Sequence, residues 1–334
     1  MTSRHPQKGP FVAELRAGDR VVGFYLVHFK QLEPFRDRSK GSFLTLILRD
    51  RTGDILARVW EGAPELAETF DEGDLVKVAG DVEAYLGRTQ LIVHKLRRAQ
   101  PDEFDLADFL PSTTRDVDAV LAQVQAAIGR IENPHLAALA RRFHDDPDFR
   151  ARLARAPASR RMHHAYLGGL LEHLVDVLTL CDAVLAIYPE INRDLLLTGA
   201  LLHDIGKVRE YTWERAIDYT DEGRLLGHIV ISAQLVAEAI ARLPAFPEEL
   251  RLRVEHMLVS HHGRYEWGSP RRPQTLEALA LHHVETLSAQ LNRFSALLHR
   301  TPGQPWTPYD RLLGRQLYAG HPDELEADDA GPPE

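Results

Sequence analysis

Residues 192–208 read NRDLLLTGALLHDIGKV, an apolar helical run that closes on His203-Asp204 with Gly206-Lys207 just beyond. An imidazole and a carboxylate at the end of a buried apolar helix are costly to desolvate unless partnered, and a divalent cation satisfies both groups together. A His-Asp dipeptide alone says little. His144-Asp145 is a second one, and because it runs into Asp146-Pro147-Asp148 it reads as an exposed helix end. What sets the first pair apart is its company. The chain has 17 histidines, ten of them between 163 and 283. His173 lies 30 residues before His203, His228 lies 25 after it, His261 follows 33 further on and Glu285 another 24. Each interval is about one helix plus a loop, so the spacing permits one ligand per helix converging inside a bundle. The set is imidazole and carboxylate without thiolate, which suits manganese, iron, cobalt, magnesium or zinc. The single cysteine, Cys181 in LVDVLTLCDAVLAIY, excludes an intrachain disulfide and a cysteine metal cluster, and it reads as a buried thiol.

Working outward, apolar residues at helical spacing predict further helices at 116–131, 135–144, 162–187, 193–203, 227–243, 247–261 and 275–298. Upstream the period changes to two. Runs at 20–29, 42–49, 55–60, 75–84 and 89–96 read as five strands, with a hairpin at Arg51-Thr52-Gly53-Asp54, another at Leu86-Gly87-Arg88 and a short helix at 63–70. Five strands with a helix between the third and fourth is the order of an OB barrel. The expected fold class is therefore α+β multidomain. An N-terminal five-stranded OB-fold barrel (1–100) comes first, then a linker with a first helix (101–134), an all-α bundle (135–320) and an acidic disordered tail (321–334).

The length of 334 residues is enough for about two domains, and 44% hydrophobic with 27% charged residues is an ordinary globular profile. No continuous apolar run reaches the roughly 18 residues of a membrane span, and MTSRHPQKGPF lacks a secretory apolar region, so no membrane partner and a cytoplasmic address are expected. The net charge of −9 argues against a generally basic nucleic-acid binder, yet it is unevenly spread. Residues 1–100 carry 16 Lys/Arg against 14 Asp/Glu, whereas the rest carries 24 against 35. The first part can approach phosphate unaided; the second needs cations to do so.

The segment GDLVKVAGDVEAYLGRTQLIV (73–93) resembles the last two strands of OB domains similar to the anticodon-binding module of aminoacyl-tRNA synthetases. His173, His203-Asp204, His228, His261-His262 and an acid at 285 fall in the order of the HD superfamily of metal-dependent phosphohydrolases, over about 160–300. Carried over by position, the resemblance implies one metal on His173, His203, Asp204 and Glu285. It implies a second bridged by Asp204 and completed by His228 and His261, with His262 as an additional ligand. Glu285 stands where that superfamily usually has Asp, and its longer arm would shift or weaken the first metal. HHAYLGGLLEH, GRLLGHI and SHHGRYEWGSP, behind an OB domain, are similar to YhaM-type 3′→5′ exoribonucleases. That resemblance implies a manganese-favouring exonuclease with one or two ions, trimming single-stranded RNA from the 3′ end and accepting DNA as an open alternative. Self-association of the chain is also left open.

The residues themselves are compatible with that chemistry: one or two cations would generate hydroxide from bound water and neutralise the phosphodiester. Lys207 could steady charge on the phosphate, against a solvated lysine at a helix end. Arg264, Arg271 and Arg272 could contact phosphates while Tyr265 or Trp267 stacks on a base, against aromatics that merely pin a loop. His163 and His164 are candidates for substrate contact or for orienting a ligand, against simple packing. His256, His282 and His283 read as structural. The arginines at 141, 142, 150, 152, 155, 160 and 161 make a basic stretch, a solvated face or an RNA track. In the barrel, Arg58 and Trp60 share a strand face, with Phe43, Tyr85 and Arg88 in or near other strands, so they are candidates for gripping a single strand, Trp60 and Phe43 being alternatively core. Two other functions compete with the nuclease: a phosphohydrolase of mononucleotides or cyclic nucleotides, and a non-catalytic nucleic-acid-binding protein with a structural metal.

Overall fold

The structure is a computed structural model that describes residues 8–35, 37, 39, 41–85, 88–214, 216–299 and 304–320. The side chain of Arg88 and the acidic tail lie outside the described residues. The chain divides into two compact units, 1–112 with 212–217, and 113–211 with 218–334.

The first unit is a closed barrel in the order β1-β2-β3-β5-β4, built from β1 (Arg20–Pro34), β2 (Ser42–Asp50), β3 (Gly53–Val59), β4 (Leu75–Tyr85) and β5 (Arg88–Arg98), with helix α1 (Ala63–Ala67) between β3 and β4. Every pairing is antiparallel except β3 with β5, the contact that closes the barrel. Alternation sends Leu44, Leu46 and Leu48 of β2 inward to meet Tyr25, Ala57, Val78 and Leu91, all fully buried. Each such aliphatic side chain contributes about 1.5–3 kcal/mol on burial. The Tyr25 hydroxyl donates to the Pro10 carbonyl at 2.8 Å, so the one polar tip in this core is satisfied. Residues 101–112, read from sequence as linker, belong to this unit: the Arg51 amide donates to the Asp108 carbonyl at 2.9 Å and Phe109 is buried.

The second unit is helical: α2 (Val117–Gly129), α3 (Pro134–His144), α4 (Pro147–Leu153), α5 (Gly169–Ile187), α6 (Arg193–Leu202), the single turn α7 (Lys207–Glu210), α8 (Asp221–Ala241), α9 (Glu248–Ser260) and α10 (Leu276–His299). Side-chain oxygens of Asp116, Asn133, Asp146, Asn192 and Thr220 cap five of these helices. Helix α6 explains the architecture. Every residue from Leu195 to Leu202 is buried, and a helix apolar on all sides has to be surrounded; α3, α5, α9 and α10 pack around it. Its C-terminus therefore delivers His203-Asp204 to the middle of the bundle.

Three expectations are corrected. His144 is buried, not an exposed helix end, because α3 lays it against α6, where its Nε2 meets the Leu201 carbonyl at 3.2 Å. The helix expected from 162 starts at Gly169, since 162–168 is irregular and His164 has φ +43°. Helix α8 begins at Asp221 and passes through a break at Gly227, φ +73° and ψ 156°. By length and composition α8 is apolar enough to cross a membrane, although its run is interrupted by charge at its start and one side of it packs on α7 and α9. Cys181 is buried, and burial pushes its thiol up to about 12.

Candidate metal centre

Five imidazoles are fixed by their Nδ1 atoms. His203 Nδ1–H donates to the Ala200 carbonyl and His261 Nδ1–H to the Leu258 carbonyl, each at 2.8 Å, within the final turn of its own helix. His262 donates to the Trp267 carbonyl at 2.7 Å, His228 to Glu210 Oε1 at 3.1 Å, and His173 pairs with the Ser288 hydroxyl at 3.1 Å. For the four rings that face a carbonyl or carboxylate oxygen, which only accepts, committing Nδ1 as donor leaves Nε2 as a lone pair. Four of these Nε2 atoms surround Asp204 in two pairs. His173 and His203 stand 3.6 and 3.4 Å from Oδ2, and His228 and His261 stand 3.6 and 3.8 Å from Oδ1.

All four Nε2 atoms and Asp204 Oδ1 are buried without a hydrogen-bond partner. Buried polar atoms are rarely left unsatisfied, and five aimed at one another make a cavity for cations. His173, His203 and Asp204 bring ligand atoms within 4.8 Å of one another, and so do His228, His261 and His262. The residues thus fit a divalent metal, the cofactor expected of an HD domain. Glu285 is buried on α10 one turn before Ser288 and belongs to neither group.

Burial holds His173 and His261 well below the usual imidazole range, with neighbouring imidazoles adding to the effect, and lowers His262 to about 4. These rings stay neutral at pH 7, the form that binds a metal. Burial alone would raise Asp204, but Lys207 and His203 hold it well below the carboxylate range. Glu285 is raised by burial and by the charge on Asp204. Lys207 is buried, not solvated, with Nζ 2.7 Å from Asp204 Oδ2.

Two glycines make the approach of α8 geometrically feasible. Gly206 faces the carbonyl oxygen of His228, which a Cβ would meet at 2.4 Å. The left-handed turn at Gly227 swings the next residue so that the His228 amide donates to Glu210 Oε1 at 3.1 Å. Glu210 and Ser288 are functional neighbours that sequence reading missed. Ser288 lay three residues after Glu285 on one helix face, a usable signal; Glu210 acts across the fold and leaves no local one.

Around the centre, the loop after His262 presents Arg264 over the Trp267 ring at 4.7 Å and Arg272 over Tyr265 at 5.2 Å, both rings about half exposed. Arg271 is exposed on the same loop. His163 and His164 gather beside His173, ring centroids 4.9 and 5.4 Å away. In the barrel unit, Trp60 is 42% exposed and outside the core, stacked on Phe35 at 5.9 Å and beside Phe43 at 5.1 Å. Arg58 lies over Phe43 at 5.1 Å while it pairs with Glu33 at 3.1 Å. Phe35, which sequence reading overlooked, completes this aromatic surface, and Tyr85 is exposed at the end of β4.

Comparison with known proteins assigns residues 170–290 to the HD domain and 26–99 to the OB-fold nucleic acid binding domain. The chain is similar to the 3'-5' exoribonuclease YhaM of Geobacillus sp. (strain WCH70), 36% identical over 278 residues, covering 83% of this chain and 85% of that one. Among solved structures, the second OB-fold domain of replication protein A from Methanococcus maripaludis matches 27% of this chain and 94% of its own at 21% identity, TM-score 0.24. Asparaginyl-tRNA synthetase from Pyrococcus horikoshii matches 40% of this chain and 34% of its own at 21% identity, TM-score 0.22.

Proposed function

We propose, from the premise that this chain belongs to the family of the 3'-5' exoribonuclease YhaM, that it is a metal-dependent 3′→5′ exoribonuclease on single-stranded RNA, with manganese as its working ion. The observation that carries the reading is Asp204, whose two oxygens each face two unpartnered imidazole nitrogens. In this reading His173, His203 and Asp204 would hold one ion, with Glu285 nearby on α10 as a further carboxylate, and Asp204, His228, His261 and His262 would hold the other. Such ions polarise a phosphodiester and activate the attacking water. A donor set of imidazoles and carboxylate without thiolate suits a divalent first-row ion, and the carboxylate oxygens are the donors that favour manganese.

The protein's own groups supply the rest. Asp204 keeps its charge because Lys207 neutralises it in a buried setting; with cations taking over that carboxylate, the lysine would turn its charge to the phosphate instead. In the same reading Arg264, Arg271 and Arg272 hold phosphates and Tyr265 and Trp267 stack on bases, which the exposure of these side chains on one loop supports. Phe35, Phe43, Trp60 and Arg58 offer the barrel's surface for the upstream strand. Stacking and phosphate contacts of this kind tolerate either sugar, which supports single-stranded DNA as a secondary substrate.

The test uses 5′-labelled single-stranded RNA with manganese. A ladder shortening from the 3′ end, abolished in Asp204→Asn and His203→Ala, is expected. Equal activity in those variants, or release of mononucleotides only from short phosphodiesters and never from a strand, rejects the reading.

A further inference from the structure

Beside His173 and bordering the Asp204 centre, a second set of imidazoles converges, His163 lying close enough to feel the charges of Lys207 and Asp204. His163, His164 and His173 each bring a ring nitrogen within 4.8 Å of the others. The Nε2 of His164 meets Asp176 Oδ2 at 3.3 Å, and a carboxylate only accepts, so Nε2 carries the proton and Nδ1 is left as a lone pair. That Nδ1 is buried and without a partner, as are His163 Nε2 and His173 Nε2.

The backbone is bent to hold this arrangement. His164 has φ +43°, a conformation uncommon outside glycine, and its amide donates to Asn292 Oδ1 at 2.7 Å. Strain held in place by a specific hydrogen bond marks a position where the ring's direction matters. A carboxylate behind an imidazole whose other nitrogen is free is the arrangement that orients a histidine ligand and raises its basicity. Three imidazoles that each bring a ring nitrogen within 4.8 Å of the others, and that each keep a buried nitrogen without a partner, suit a small cation better than a substrate phosphate.

We propose that His163, His164 and His173 form a zinc site adjoining the Asp204 centre, oriented by Asp176 and drawing on the same His173. The all-nitrogen donor set selects zinc over manganese, which prefers oxygen ligands, and three imidazoles leave a fourth position for water or substrate. His173 Nε2 also stands 3.6 Å from Asp204 Oδ2, so a zinc ion here and a cation between His173 and Asp204 compete for one lone pair.

Two measurements on the full chain test this, both independent of RNA cleavage. Crystals grown with zinc, measured at the zinc absorption edge, are expected to show a peak bonded to His163, His164 and His173 at about 2.0–2.1 Å. Equilibrium dialysis against zinc is expected to lose one binding phase in His164→Asn and to weaken that phase about 10–100-fold in Asp176→Asn. Asp176 is 42% exposed, so its variant keeps the fold if the His164 variant does not. Zinc confined to the Asp204 cluster in the crystals, or superimposable dialysis curves for the wild type and Asp176→Asn, overturns the proposal.

Discussion

Substituting Gly206 by alanine tests whether His228 must stand where it does. Gly206 has φ −64° and ψ −21°, helical values that alanine adopts freely, so backbone strain is not the issue. A Cβ there would lie 2.4 Å from the His228 carbonyl oxygen, 2.7 Å from the Ser232 nitrogen and 2.8 Å from its Oγ. Two of these three are α8 backbone and cannot rotate away. Ordinary contact begins at 3.4 Å against the 2.4 Å found, so α8 must retreat by about 1 Å at His228. The hydrogen bond from the Gly206 amide to Ser232 Oγ, 2.8 Å, loosens with it. Metal ligand distances tolerate about 0.2 Å, so such a shift takes His228 out of coordination. The expected result is about a 100-fold fall in rate and a stability loss of about 1–3 kcal/mol. Initial rates on labelled RNA, manganese content by elemental analysis and urea unfolding read the three quantities. Gly199→Ala is the control: its nearest neighbours are Met257 Sδ and Cε, at 2.7 and 2.9 Å, which swing aside without moving a ligand. A folded Gly206→Ala protein with full manganese content and wild-type rate refutes the reasoning.

Glu210→Gln keeps the shape but removes the charge that accepts from His228 Nδ1, so manganese affinity is expected to fall about 10–100-fold by titration. His144, buried and lowered to about 4, binds its proton more readily in the unfolded chain, so its contribution to stability is complete above pH 6.5 and lost as pH falls toward 4. The shift amounts to roughly 3 kcal/mol, and urea unfolding of His144→Gln should show a correspondingly flatter acid limb. Trp60→Ala is expected to weaken single-strand binding by about 1–3 kcal/mol in fluorescence anisotropy, leaving the melting temperature unchanged because the ring lies outside the core.

Much of this was legible in the sequence because the two periodicities are clean. Alternation over 42–49 placed Leu44, Leu46 and Leu48 inside a barrel, and the unbroken apolar run before His203 announced a helix that had to be central. Ligand order gave His173, His203, Asp204, His228 and His261, which the fold brings to one point. What the sequence hid depends on contacts between distant segments. Nothing near residue 210 says that Glu210 braces His228, and the polar neighbours of His144 concealed a side chain turned inward against α6. The onset of α5 was misplaced because 162–168 has helical composition but is held irregular by the Asn292 contact at His164.

Manganese retained per chain after gel filtration, wild type against Asp204→Asn, probes most directly the role given to that one carboxylate. Wild type is expected to keep its manganese and the variant to lose it, since one oxygen of this side chain faces His173 and His203 and the other faces His228 and His261. A folded variant holding as much manganese as wild type would contradict it.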